Sequence, residues 1–197
     1  MKKIISVLAL ICAFASASFA KDKLEVGEFE DWFDHIDSVK VKEIFNLNDY
    51  KTIYIMPFDE SKVEWPEKDD NRYEALEKAL KKVPTVVQER LQKRLKGMNI
   101  VVATADQNIE ANALKLNIKY EELSMGSRAL RAWVGFGAGG QRIEISGTVQ
   151  DGNGKEFTWF KHKRVSTNAK SYEKCVEEEF VFFGEDIAWM LGKYKAK

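Results

Sequence analysis

Apolar positions along this chain follow two rhythms, and the changes between them mark its elements. Thr52 to Phe58 is a short run, apolar on both faces, that reads as a strand covered on both sides and ended by Pro57. Tyr73, Leu76, Leu80, Val83, Val87, Leu91 and Leu95 then recur at steps of three and four between charged residues, the stripe of an amphipathic helix. Asp70 or Asn71 is placed to cap it, and Gly97 to end it in a left-handed conformation. Pro84 removes a backbone donor inside the stripe, so a kink or two abutting helices are expected there. Asn99 to Ala103 is a second strand candidate. Leu114, Leu116, Ile118 and Tyr120 alternate with polar residues, as do Ile143, Ile145, Gly147 and Val149, the period of a sheet with one face on a core. Asp151-Gly152-Asn153-Gly154 forms the turn to a hairpin partner over Glu156 to Val165. From Asn168 the period is helical again, with Tyr172, Val176, Phe180, Phe183, Ile187, Met190 and Tyr194 on one stripe.

This order implies an α+β fold, a two-layer arrangement of a mixed, largely antiparallel sheet with two long helices packed on one face. Leu114, Leu116, Ile118, Ile143, Ile145 and Val149 are then the sheet side of the core, beneath Leu76, Leu80, Val87, Leu91, Val176, Phe183 and Ile187. Residues 21 to 50 are less legible: Phe29, Trp32, Phe33 and Ile36 have helical spacing, and Val39 and Val41 alternate with Lys40 and Lys42. The expected organisation is a signal peptide over 1–20, an N-terminal extension over 21–40 and one α+β domain over 41–197.

The start of the chain sets the compartment. Lys2 and Lys3 precede an apolar run from Ile4 to Phe14 and a small-residue segment ending at Ala20, the pattern of a secretory signal peptide. The run is shorter than the roughly 20 residues a membrane-spanning helix needs. Export to the periplasm of a Gram-negative-type bacterium is expected, with a processed chain beginning at Lys21. Ile11 before Cys12 is not the small residue that lipidation requires, so a lipid anchor is not the expected outcome. Cleavage removes two lysines and no acid, leaving 177 residues with 29 basic and 31 acidic side chains. That balance gives no electrostatic case for nucleic acid. Cys175 alone of the two cysteines would remain, as a buried small hydrophobe rather than half of an internal disulfide.

Catalytic and cofactor signatures do not emerge. His35 and His162 are the only histidines, far apart and without metal-ligand spacing around them, and no nucleophile elbow is present. Glu177, Glu178 and Glu179 read as a solvated helix face. Phe157, Trp159 and Phe160 precede Lys161-His162-Lys163-Arg164, a mixture that can bind nucleic acid but reads here as aromatics beneath the C-terminal helix with solvated charge at the strand end. The reading is a protein that is not an enzyme and carries no cofactor or metal.

One segment is unlike the rest. Residues 125–140 hold five of the twelve glycines, with Arg128, Leu130, Arg131, Trp133, Val134 and Phe136 among them. Gly135, Gly137 and Gly140 satisfy a dinucleotide spacing, yet a strand follows where that motif needs a helix N-terminus, which removes the nucleotide reading. Trp133 and Phe136 are candidate apolar anchors and Arg128 and Arg131 candidate anion contacts for a partner.

The run Gly126, Ser127, Arg128, Arg131, Gly135, Gly137, Gly139, with the strand after it and the Asp151–Lys155 turn, resembles the signature of a bacterial family known as domain of unknown function 4410 (DUF4410). Phe183 to Ala188 resembles its C-terminal helix, and Asp49 to Thr52 its entry into the first apolar strand, so the likeness spans roughly residues 40 to 192. The resemblance implies an exported, envelope-associated protein, often a lipoprotein, with a fold similar to the amino-terminal domain of TolB and to the curli-secretion lipoprotein. It implies no activity. The expected role is a non-catalytic envelope module that binds another envelope protein, or itself, through 125–140, with peripheral membrane contact as a further expectation. A carrier of a small apolar ligand and a cell-wall-acting enzyme are the alternatives.

Overall fold

The computed structural model describes residues 24–32, 35–124, 141–166 and 172–195. Among them are seven strands and two long helices: β1 (Gly27–Trp32), β2 (Ile36–Val41), β3 (Thr52–Ile55), α1 (Asn71–Arg94), β4 (Asn99–Val102), β5 (Leu114–Ser124), β6 (Gln141–Asp151), β7 (Glu156–Ser166) and α2 (Tyr172–Gly192). The strands form one sheet in the order β1-β2-β7-β6-β5-β3-β4. β3 lies parallel to both β4 and β5, and the other pairings are antiparallel, so the fold is α+β with a mostly antiparallel sheet.

The apolar positions expected on the core face of β5 and β6 are buried, Ser146 on the other side of β6 is buried as well, and β7 pairs with β6 as the expected hairpin partner. Every sheet and helix residue named above for the core is buried in one cluster. Asp70 caps α1, its carboxylate accepting a hydrogen bond from the Arg72 backbone N–H at 2.8 Å, and Gly97 beyond the other end has φ +88°. The Asp151 carboxylate accepts from Lys155 N–H at 2.9 Å and closes the β6–β7 turn.

Of the two outcomes expected at Pro84, a division into two helices does not occur, because α1 runs through it as one helix. Leu80, Val83 and Val87 on either side are buried, and that packing offsets the lost backbone bond. The helical spacing of Phe29, Trp32 and Ile36 also misleads. Gly27–Trp32 and Ile36–Val41 are antiparallel strands, and Val39 meets Phe160 of β7 in register, so the burial of Trp32, Ile36, Val39 and Val41 is obtained on a sheet.

Two further readings are corrected by placement. Phe157 and Phe160 enter the core, but Trp159 is half-buried and faces the opposite side of β7, in register with Lys40 and Thr148. Glu179 is not solvated: it is 8% exposed and ion-paired to Arg164. Cys175 is buried on α2.

α1 and α2 run side by side in the same direction. Lys82 bonds Glu173 at 2.7 Å and Glu177 at 2.5 Å, and further along Arg90 lies 3.5 Å from Glu185. At the far end the Tyr194 hydroxyl meets that of Thr158 at 2.5 Å, and burial pushes Tyr194 up to about 12 against the opposing pull of that hydrogen bond. Both helices therefore begin at one end of the sheet, where β6 starts and β7 ends, and finish at the other.

Candidate functional site

The glycine-rich segment leaves from the first of these ends. Arg128, Arg131, Trp133, Gly135, Phe136, Gly137 and Gly139 all lie in 125–140, outside the described residues. Its two roots are described: Ser124 faces Arg142 across β5 and β6, and Gln141 faces Ser166 across β6 and β7. Val63 bridges to Leu123 beside one root, and from there Trp65 packs against Tyr73 with ring centroids 5.2 Å apart and the planes tilted by 40°. Val165 lies in register with Arg142, and Phe182 of α2 sits under the Arg164 guanidinium at 4.5 Å. Trp65, Val165 and Phe182 are 37%, 52% and 45% exposed, so this end of the sheet offers apolar side chains to water.

A second cluster sits between β7 and α2, and it unites residues that are far apart in sequence. β7 turns Phe160, His162 and Arg164 to one face because strand side chains alternate. Glu179, Phe183 and Asp186 share a face of α2 because they are spaced four and three apart. The antiparallel pairing of β2 with β7 brings Asp37 alongside, and His35 stands just before β2. His162 is 7% exposed, with its Nδ1 2.7 Å from Asp37 Oδ2 and its Nε2 3.2 Å from Asp186 Oδ2. The other Asp186 oxygen lies 3.0 Å from His35 Nδ1. Arg164 donates from Nε to Glu179 at 2.6 Å, and its Nη1 lies 3.7 Å from Asp186.

The arrangement fastens three elements through one carboxylate. The His162 ring packs edge-on to Phe183 at 5.1 Å, and His35 lies 4.4 Å from the Trp189 ring. Both His162 nitrogens face carboxylate oxygens, and a ring can donate to both only when it is protonated. Burial pushes the Asp186 carboxyl up, but hydrogen bonds from His162 and His35 outweigh it and hold the group below the usual carboxylate range. The cluster's two imidazoles take different oxygens of Asp186, and among the described residues no group of three or more His, Cys, Asp or Glu is arranged to hold a metal ion.

A carboxyl lowered by folding contributes stability that is present above its unfolded value and lost as pH falls through the folded one. Asp186→Asn is therefore expected to flatten the loss of stability below about pH 4, read as the denaturant midpoint against pH. Identical acid limbs in parent and variant would deny Asp186 that role. The sequence reading left His35 and His162 unconnected. The available signal was parity, since His162 falls between Phe160 and Arg164 on the core-facing side of a strand.

Comparisons with known proteins give a family and distant likenesses. No curated protein matches the chain. Among solved structures it is similar to the PelC dodecamer from Paraburkholderia phytofirmans, at 11% identity and TM-score 0.46, covering 81% of this chain and 97% of that one. A leucine-to-methionine variant of that protein gives 11% identity and TM-score 0.45, covering 76% and 95%. An uncharacterized protein of known crystal structure gives 10% and 0.44, covering 75% and 95%. The sequence profile described as Domain of unknown function (DUF4410) matches residues 53–169, more than half of the chain, which therefore belongs to that family.

Proposed function

We propose that this chain is an exported, non-catalytic protein of the bacterial cell envelope that binds another envelope component through residues 125–140. In this reading the two helices cover one face of the sheet, the protein resides in the periplasm, and the segment joins β5 to β6 at the end where both helices begin. Trp133 and Phe136 are the apolar anchors and Arg128 and Arg131 the anion contacts, while Gly135, Gly137 and Gly139 let the partner approach the backbone. Aromatics and arginine are the residues on which binding energy concentrates. The observation that carries the reading is the exposure of Trp65, Val165 and Phe182 around Ser124 and Gln141, the described residues on either side of the segment.

Replacing Trp133 and Phe136 together with serine tests it. The expected outcome is an unchanged denaturant midpoint and loss of the partner captured by crosslinking in intact cells. A drop of several kcal/mol with capture retained would assign both side chains to the core instead, since each buried aromatic of this kind contributes about 1.5–3 kcal/mol.

A further inference from the structure

The opposite end of the molecule carries a different surface. Because α1 and α2 run parallel, their C-termini emerge together, bringing Arg94 beside Lys193 and Lys195, with Lys93 and Lys96 next to Arg94 in the chain. Between them lies an open groove of about 280 Å³, floored by Leu95 and Ala188 and rimmed by Arg94, Trp189, Lys193 and Lys195. Many basic side chains elsewhere are matched, Lys62 by Glu121, Lys82 by Glu173 and Glu177, Lys155 by Glu43, Lys161 by Glu144 and Arg164 by Glu179, while others such as Lys51, Lys68 and Lys115 stand singly among the described residues. Lys93, Arg94, Lys96 and Lys195 make no ion pair among the described residues; of the acids nearby, Glu185 faces Arg90 one turn back and Glu89 lines a groove together with Lys93. A basic residue in a last turn complements the helix dipole. Five on two adjoining ends exceed that need.

We propose that this end is a docking surface for an anionic phospholipid membrane, with Arg94, Lys193 and Lys195 around the groove and Lys93 and Lys96 at the adjoining end of α1 meeting the headgroups. Juxtaposed lysines and arginines gain affinity additively near such a surface. The geometry favours lipid over nucleic acid. The charges form a compact patch rather than a track along successive phosphates, and the Trp189 ring already carries His35 at 4.4 Å and Lys193 at 4.3 Å, leaving no open face for a base to stack on. The patch lies at the end where Asn99, Thr52 and Leu114 begin their strands, whereas Ser124 ends β5 at the other. Docked in this way, the protein turns the roots of 125–140 away from the membrane. The inference does not depend on what that segment binds.

Cosedimentation of the protein, purified as its producing cells process it, with vesicles of equimolar phosphatidylglycerol and phosphatidylethanolamine tests the proposal against phosphatidylcholine vesicles. Binding is expected to the anionic vesicles, to fall with salt, and to weaken by roughly a hundredfold when Lys93, Arg94, Lys96 and Lys195 are all replaced by glutamine. Replacing Lys81, Lys119, Lys155 and Lys163 by glutamine removes the same charge elsewhere and is expected to leave most of the binding intact. Equal loss in both fourfold variants, no preference for anionic vesicles, or displacement from them by duplex DNA acting through the same four residues would each overturn it. Should the first variant fail to fold, Arg94→Glu alone must still weaken binding, and unchanged affinity in that variant would equally overturn it. Trp133→Ser with Phe136→Ser is expected to bind vesicles as the parent does, which separates this surface from the proposed partner site.

Discussion

Phe183→Ala is expected to destabilise the protein by about 3–5 kcal/mol, the range for deleting a buried aromatic ring and leaving part of its volume empty. Phe183 is fully buried, lies 5.1 Å from Phe180 ring to ring, and presents its edge or face to His162 at the same distance. The site cannot collapse easily, because the backbone on each side is held by a helix and by β7. The loss would also reach the polar cluster, since the ring shields His162 and lies one turn before Asp186. Its neighbour supplies the control. Phe182 is 45% exposed and rests on Arg164, so Phe182→Ala is expected to change stability by no more than about 1 kcal/mol. Chemical denaturation of both variants decides the matter, and equal midpoints would place Phe183 outside the core.

The contrast between those adjacent phenylalanines shows what could be read before the structure. The α2 stripe assigns Phe183 to the core and leaves Phe182 out because a helix repeats every 3.6 residues, and burial follows that assignment. Period-two patterns located β5 and β6 for a similar local reason, and the turn residues Asp151 to Gly154 located β7 as a hairpin partner. Information that depends on sheet order was not legible. Asp37 and His162 are 125 residues apart and meet only because β2 is inserted next to β7, a pairing that no local pattern announces. The β1–β2 hairpin was obscured by coincidence, as Phe29, Trp32 and Ile36 fit a helical step while the chain satisfies them on a strand. The family resemblance carried by 125–140 was legible from glycine spacing. The apolar side chains around its roots were not, since Trp65, Val165 and Phe182 belong to three separate elements.

Gly147→Ala is the other substitution with a large expected effect. Gly147 faces Phe160 on one neighbouring strand and Ile118 on the other, in the centre of the sheet. A Cβ there would lie 2.4 Å from Phe160 Cζ and 2.6 Å from the Asn117 carbonyl oxygen, both inside any permitted contact. The phenyl ring can swing only by pressing into a packed core, and the carbonyl belongs to a strand paired on both edges. Overpacking of this kind costs about 1–3 kcal/mol, and a clash with backbone lies at the upper end or beyond. The absence of a side chain at Gly147 thus makes room for the Phe160 ring on the core face, which explains a glycine in a strand interior where it would otherwise weaken the sheet. Shortening the ring distinguishes the two contacts. If Phe160 carries half of the clash, Gly147→Ala with Phe160→Leu should be less destabilised than the sum of the single variants by about 0.5–3 kcal/mol. Strict additivity would leave the Asn117 backbone as the sole obstacle, and a Gly147→Ala variant as stable as the parent would show that the close approach is not required.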